Sequence, residues 1–134
     1  MKTTYKFLLL LFGTLFWVSC EKEYYSTKDN SAPIDPSVPI SFSTSVVPIF
    51  TTNCLGSGCH ESGGPPPVLT ADKAYDQLTM LGYVDADTPD TIPENSSLYK
   101  RMIATTKPMP PNGKLSPGKI EAIALWIKQG SKNN

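Results

Sequence analysis

The sequence contains few of the residues from which most catalytic and metal sites are built. Its 134 residues include one histidine and three cysteines. A zinc site is disfavoured, because two nearby cysteines and the single histidine leave the fourth ligand unassigned. There is also no internal repeat, no glycine-rich phosphate-binding motif and no serine, histidine and acid arrangement. These absences argue against a nucleotide-binding enzyme and against a hydrolase.

The sequence also has no excess of charge of either sign. Twelve basic and twelve acidic residues give a formal net charge of zero, so the composition gives no support for nucleic-acid binding. The charges are nevertheless unevenly distributed. Between Glu61 and Glu94 seven acids face only Lys73, whereas from Lys100 onward seven basic residues face only Glu121. We therefore expect the folded molecule to carry its negative and positive charges on different parts of its surface.

The most informative segment is Cys54-Leu-Gly-Ser-Gly-Cys59-His60. In the usual signal for covalent haem attachment, C-x-x-C-H, the two sulfurs form thioethers and the histidine binds the iron. Here the spacer has four residues, and Gly56 and Gly58 supply the backbone freedom that a longer loop requires. The alternative is a small disulfide loop between Cys54 and Cys59, with His60 an incidental surface residue.

A second informative segment is Lys107-Pro-Met109-Pro-Pro-Asn-Gly113. Met109 stands among three prolines, which exclude a helix and favour a stiff extended loop. A thioether on such a loop is a good sixth iron ligand, so Met109 is predicted to be the distal ligand. Met80 and Met102 are predicted to be packing residues. Either of them, or no protein ligand at all, remains the alternative.

At this point the chain resembles the small monohaem class I cytochromes c, and most closely those found as domains of bacterial lipoproteins, some of which use the C-x4-C-H spacing. The resemblance covers roughly residues 41 to 131 and implies one covalently attached haem c. His60 would be the proximal and Met109 the distal iron ligand. It also implies an all-α fold of about four short helices around the haem, placed here in a domain over residues 41–134.

No hydrophobic run in the sequence is long enough to cross a bilayer comfortably. Phe7–Val18 has twelve residues and follows Lys2 and Lys6, whereas a spanning helix needs about 20. This pattern is typical of a signal peptide, predicted over residues 1–19. Residues 20–40 lack a regular hydrophobic period and are predicted to be a tether.

The signal segment ends in Trp17-Val18-Ser19-Cys20, which resembles a lipobox, although Trp17 stands where leucine is usual. Cys20 is therefore predicted to be acylated. Lipidation explains an odd number of cysteines, because one lipidated and two thioether-linked cysteines leave none free. Several acyl chains would also anchor the protein firmly. The alternative is an ordinary signal peptide that leaves Cys20 as a free thiol.

Four helices are expected in the domain. The first is predicted to begin at a cap among residues 43–45 and to end near Asn53, and the second to cover about 72–79. The third is predicted over about 95–105. The last has Ser116 as cap, Pro117 at its first position and Gly130 just after its end. Trp126 is expected to pack beside the haem.

Together these features predict an exported electron-transfer protein with His/Met-ligated haem, anchored to the bacterial cell envelope. The expected place is the outer membrane facing the periplasm, with the cell surface as the alternative. Its partners would be redox proteins, and acidic ones if the basic residues near Met109 form a rim. It is not expected to be an enzyme or to bind a small-molecule substrate. The alternatives are a haem protein with an open distal site, acting as a peroxidase or gas sensor, and a haem-free, disulfide-containing binding lipoprotein.

Overall fold

The computed structural model describes residues 34–134, and this part of the chain is helical without any strand. The prediction of an all-α fold is therefore confirmed. A π-helical turn covers Phe42–Val46, and a short 3-10 helix covers Pro93–Asn95. The four α-helices are α1 (Val47–Asn53), α2 (Ala74–Met80), α3 (Ser97–Ile103) and α4 (Pro117–Lys128).

The first helical segment begins with a wide turn. Ser41 is its cap, since the Ser41 hydroxyl accepts a hydrogen bond from the amide of Thr44. The observed cap thus lies two residues upstream of the predicted cap at residues 43–45. The amide of Val47 bonds to the carbonyl of Phe42, five residues back. Pro48 follows at the beginning of α1, where a missing amide donor costs little. The segment then continues to Asn53, directly before the first cysteine of the motif.

The core lies between this segment and α4. Phe42 packs on Trp126 with 5.0 Å between ring centroids and meets Phe50 edge-on at 6.4 Å. Ile123 and Ile127 of α4 are fully buried beside them, as expected for the apolar stripe of this helix. The Trp126 indole N–H donates to the carbonyl of Lys132. Trp126 is thus a buried packing residue against Phe42.

The last helix begins and ends as its sequence predicts. Pro117 is its first residue, and Gly130 lies two residues after Lys128 with a φ of 100°. Such a backbone angle strongly favours glycine. Ser116 precedes the helix, although its side chain makes no capping bond.

The segment before the first helix lies on the domain. The side chain of Gln129 accepts from the amide of Ile40 at 2.7 Å and donates to the carbonyls of Val38 and Pro36 at 3.0 and 3.4 Å. Ile34 packs against the hydrophobic core. Residues 34–40, which the sequence assigns to the tether, are therefore bonded to α4 and packed on the domain.

The predicted signal peptide, the acylated Cys20 and the tether up to residue 33 lie outside the described residues. Within residues 34–134, no helix is both long enough and apolar enough to cross a membrane.

Candidate cofactor-attachment site

The first cysteine of the motif ends α1. The amide of Cys54 donates to the carbonyl of Phe50 at 2.8 Å, so the helix carries Cys54 to the edge of the core. The loop that follows uses glycine as predicted, since Gly56 and Gly58 have φ angles of 146° and 78°. The amide of Cys59 closes the loop by donating to the carbonyl of Gly56. The four-residue spacer is therefore a defined turn.

His60 is held at three points. Its amide donates to the carbonyl of Cys54 at 3.1 Å, and its carbonyl accepts from the amide of Leu69 at 2.8 Å. Its ring Nδ1 lies 3.2 Å from the carbonyl oxygen of Pro65. Because a carbonyl oxygen only accepts, this bond requires the hydrogen to sit on Nδ1. In the neutral imidazole, Nε2 is then the unprotonated nitrogen with a lone pair for a metal.

Gly64 makes this arrangement sterically possible. Its amide donates to the carbonyl of Glu61, which turns the chain back toward the motif. A Cβ at Gly64 would collide with the carbonyl oxygen of Cys59. Any other residue here would push the following Pro65 away from His60. Proline at residues 65–67 then fixes the backbone of the segment that supplies the carbonyl.

Cys54 and Cys59 are both free thiols in the structure and both are partly buried. Burial, together with a smaller effect of the nearby Cys59, raises the pKa of the Cys54 thiol to about 11. Cys54 is therefore neutral at physiological pH. It packs against the hydrophobic core together with Leu55, so its sulfur lies in apolar surroundings.

The loop that carries Met109 is tied to α3. The amide of Met109 donates to the carbonyl of Arg101 at 3.0 Å, and Pro108 and Pro110 flank it on both sides. Its side chain is 37% exposed. Ile103, two residues after Arg101, is also exposed. Met109 and Ile103 thus present apolar surface from the same part of the domain.

The other two methionines of the described residues differ from Met109. Met102 is 3% exposed and belongs to the hydrophobic core, as predicted for a packing residue. Met80 is 80% exposed at the last position of α2, so its prediction as a packing residue is wrong. The reason is that Leu78, two residues earlier, already fills the inward face of this short helix.

The structure brings Cys54, Cys59 and His60 into one loop and places Met109 on another. The acceptor for His60 Nδ1 is the carbonyl of Pro65, in the run of three prolines at residues 65–67. The sequence analysis missed Gly64, although a glycine before three prolines is a signal of tight backbone packing. It also missed the hydrogen bond from the Lys119 ammonium to the Asn53 side chain, which ties α4 to the end of α1.

These residues fit a covalently attached haem. The two thiols are unpaired and lie in the same loop as an imidazole whose Nδ1 is bonded to a carbonyl. The side chains of Met109 and Ile103 are apolar and exposed, and an apolar group could cover them. Two surface cavities of about 370 and 220 Å³ are lined by other residues, around Gln129 and Tyr75 respectively. Among the described residues, no group of three or more His, Cys, Asp or Glu side chains could hold a bare metal ion.

Comparison with protein-family models, with curated proteins and with solved structures found no match for this chain.

Proposed function

We propose that the protein is a monohaem c-type cytochrome, anchored to the cell envelope through Cys20, that carries single electrons between redox proteins. The observation that supports this most directly is the hydrogen bond from His60 Nδ1 to the carbonyl of Pro65. A histidine that binds a metal usually donates its other ring hydrogen to such an acceptor. Here that histidine directly follows two unpaired cysteines.

Cys54 and Cys59 would hold the haem through two thioether bonds, and His60 and Met109 would bind its iron. When bound, the haem supplies a one-electron iron couple. The chain's own contribution is to position these groups. Two backbone hydrogen bonds hold His60 in the loop, the bond at Nδ1 orients its ring, and the prolines beside Met109 stiffen the loop that carries the thioether.

The proposed ligands favour a carrier over a catalyst. With both axial positions filled by His60 and Met109, a substrate has no free coordination site. A thioether ligand also raises the reduction potential relative to harder ligands. Among the described residues we favour Met109, since Met102 is buried in the core and Met80, at the end of α2, is not flanked by prolines.

The proposal is tested by expressing the full chain together with a cytochrome c maturation system. Intact mass should show one haem added, and the absorption spectrum should change between the oxidised and reduced forms. The variants Cys54→Ser and Cys59→Ser should each lose one thioether, and the double variant should lose the covalent haem. A colourless wild-type product with Cys54 and Cys59 joined in a disulfide would overturn the proposal.

Ligand binding to the reduced protein separates a carrier from an open-site haem protein. With Met109 on the iron, carbon monoxide should bind weakly or not at all. Rapid and complete binding would instead assign the protein to peroxide chemistry or gas sensing.

A further inference from the structure

The first helical segment and α4 run past each other in opposite directions. Three contacts establish this. As the residue number rises from 40 to 53 along the first segment, the number of the contacting residue of α4 and its end falls from 129 to 119. The contacts are Ile40 with Gln129, Phe42 with Trp126 and Asn53 with Lys119.

The first helical segment therefore separates two ends of the domain. The fastening end contains residues 34–40 and Gln129, and the attachment end contains Asn53 and Cys54. The segment from Phe42 to Asn53 lies between them. At 1.5 Å per helical residue it spans about 18 Å, which is about half the width of a compact domain of about 100 residues.

The side chain of Gln129 holds the segment that precedes the first helix. Its amide oxygen accepts from Ile40, and its amide nitrogen donates to Val38 and Pro36. The side chain therefore bonds to three residues of one short segment, which includes a turn closed by the bond from the Val38 amide to the Asp35 carbonyl. Ile34, the first described residue, is two residues from Pro36 and lies within about 7 Å of it. The preceding chain therefore joins the domain at the fastening end.

We propose that the attachment end faces away from the membrane that holds the chain, so that its redox partner is a protein approaching from the aqueous side. This inference rests on the proposed function and names the kind of partner that it serves. With the chain fastened at Gln129, the body of the domain lies between the anchored segment and Cys54. A partner confined to the same bilayer meets the fastening end instead.

Lysine labelling tests the orientation without requiring haem. The mature chain from residue 20 is carried by an amino-terminal hexahistidine tag on phosphatidylcholine vesicles that contain a little nickel-chelating lipid, and its lysines are acylated with and without vesicles. Lys128 and Lys132 flank the fastening end, whereas Lys114 precedes α4 at the attachment end; all three are exposed. Vesicles should reduce acylation of Lys128 and Lys132 and leave that of Lys114 unchanged.

Protection of Lys114 alone, or equal acylation changes at all three lysines, would overturn the proposal. Gln129→Leu keeps the side-chain size and removes the three hydrogen bonds, so the difference between the two ends should shrink. Gln77→Leu is the matched control, because it removes a glutamine amide bound to Val68 elsewhere in the domain and should keep the difference. The absorption spectrum of the same samples reports on haem separately, which distinguishes failure of this inference from failure of the proposed function.

Discussion

Met109 and Cys54 are the two residues whose chemistry depends most on their surroundings. Met109 is predicted from its prolines alone, and the structure adds that its amide is bonded to α3. Cys54 is predicted from the motif, but its altered acidity comes from burial at the end of α1, which no local pattern of residues indicates. The partner of the His60 ring, the carbonyl of Pro65, lies only five residues along the chain, so this hydrogen bond is local in the sequence.

We expect Met109→Ala to change the absorption spectrum in both oxidation states and to lower the reduction potential. The reason is that a thioether ligand raises the potential, and alanine cannot replace it. Spectroelectrochemical titration of the purified protein measures both effects. Met80→Ala is the matched control, since its exposed side chain should leave the spectrum and potential unchanged. A Met109→Ala spectrum identical to that of the wild type would refute the ligand assignment.

We expect the thiol of Cys54 to be poorly reactive in the folded, haem-free chain. Its pKa of about 11, against an ordinary value of 9.0, lowers the thiolate population at pH 8 by about a hundredfold. Alkylation by iodoacetamide should therefore be slower in buffer than in urea. Its rate in buffer should rise with pH up to about 11. Equal rates in buffer and urea at pH 8 would contradict the burial of this thiol.

At the scale of elements, the boundaries of α4 follow from Pro117 and Gly130, and the sequence predicts them closely. The beginning of the first helical segment does not follow as well. A π-helical turn differs from an α-helix by one position in its hydrogen bonding, and neither Ser41 nor its neighbours signal that shift. The hydrogen bond between Ile40 and Gln129 joins residues 89 positions apart, which single-sequence periodicity cannot detect.

Phe42 is expected to be the most important residue for holding the first helical segment on α4. Phe42→Ala removes its ring contacts with Trp126 and Phe50 from a buried site, which should cost about 3–5 kcal/mol of unfolding free energy. Urea denaturation followed by circular dichroism measures the change. Val38→Ala, at an exposed position, should cost less than about 0.5 kcal/mol. Similar losses for the two variants would contradict this packing.

At the scale of the whole molecule, the uneven charge seen in the sequence has a place in the fold. The backbone amides of Asp87 and Asp90 donate hydrogen bonds to the carbonyls of Gly130 and Lys128, at the fastening end. Lys114 precedes α4, and the bond from Lys119 to Asn53 places the beginning of that helix at the attachment end. Lys114, one of the basic residues near Met109 in the sequence, is therefore expected toward the side that carries the motif.

We expect electron transfer to an acidic redox protein to slow as ionic strength rises, because salt screens the attraction that brings the two proteins together. Lys107→Gln and Lys114→Gln should lower the rate at low salt and flatten this dependence. Lys132→Gln, at the fastening end, should leave it unchanged. Stopped-flow rates over a salt series provide the measurement. A salt-independent wild-type rate would argue that these lysines are ordinary solvated surface.

The burial of Trp126 has a practical consequence. The only other tryptophan, Trp17, falls in the predicted signal peptide, so the processed chain would contain a single indole. The Trp126 ring packs on Phe42 of the first helical segment, and its N–H donates to the carbonyl of Lys132, after the end of α4. Its fluorescence would therefore shift to longer wavelength when these parts separate, giving an intrinsic optical signal for the opening of the domain.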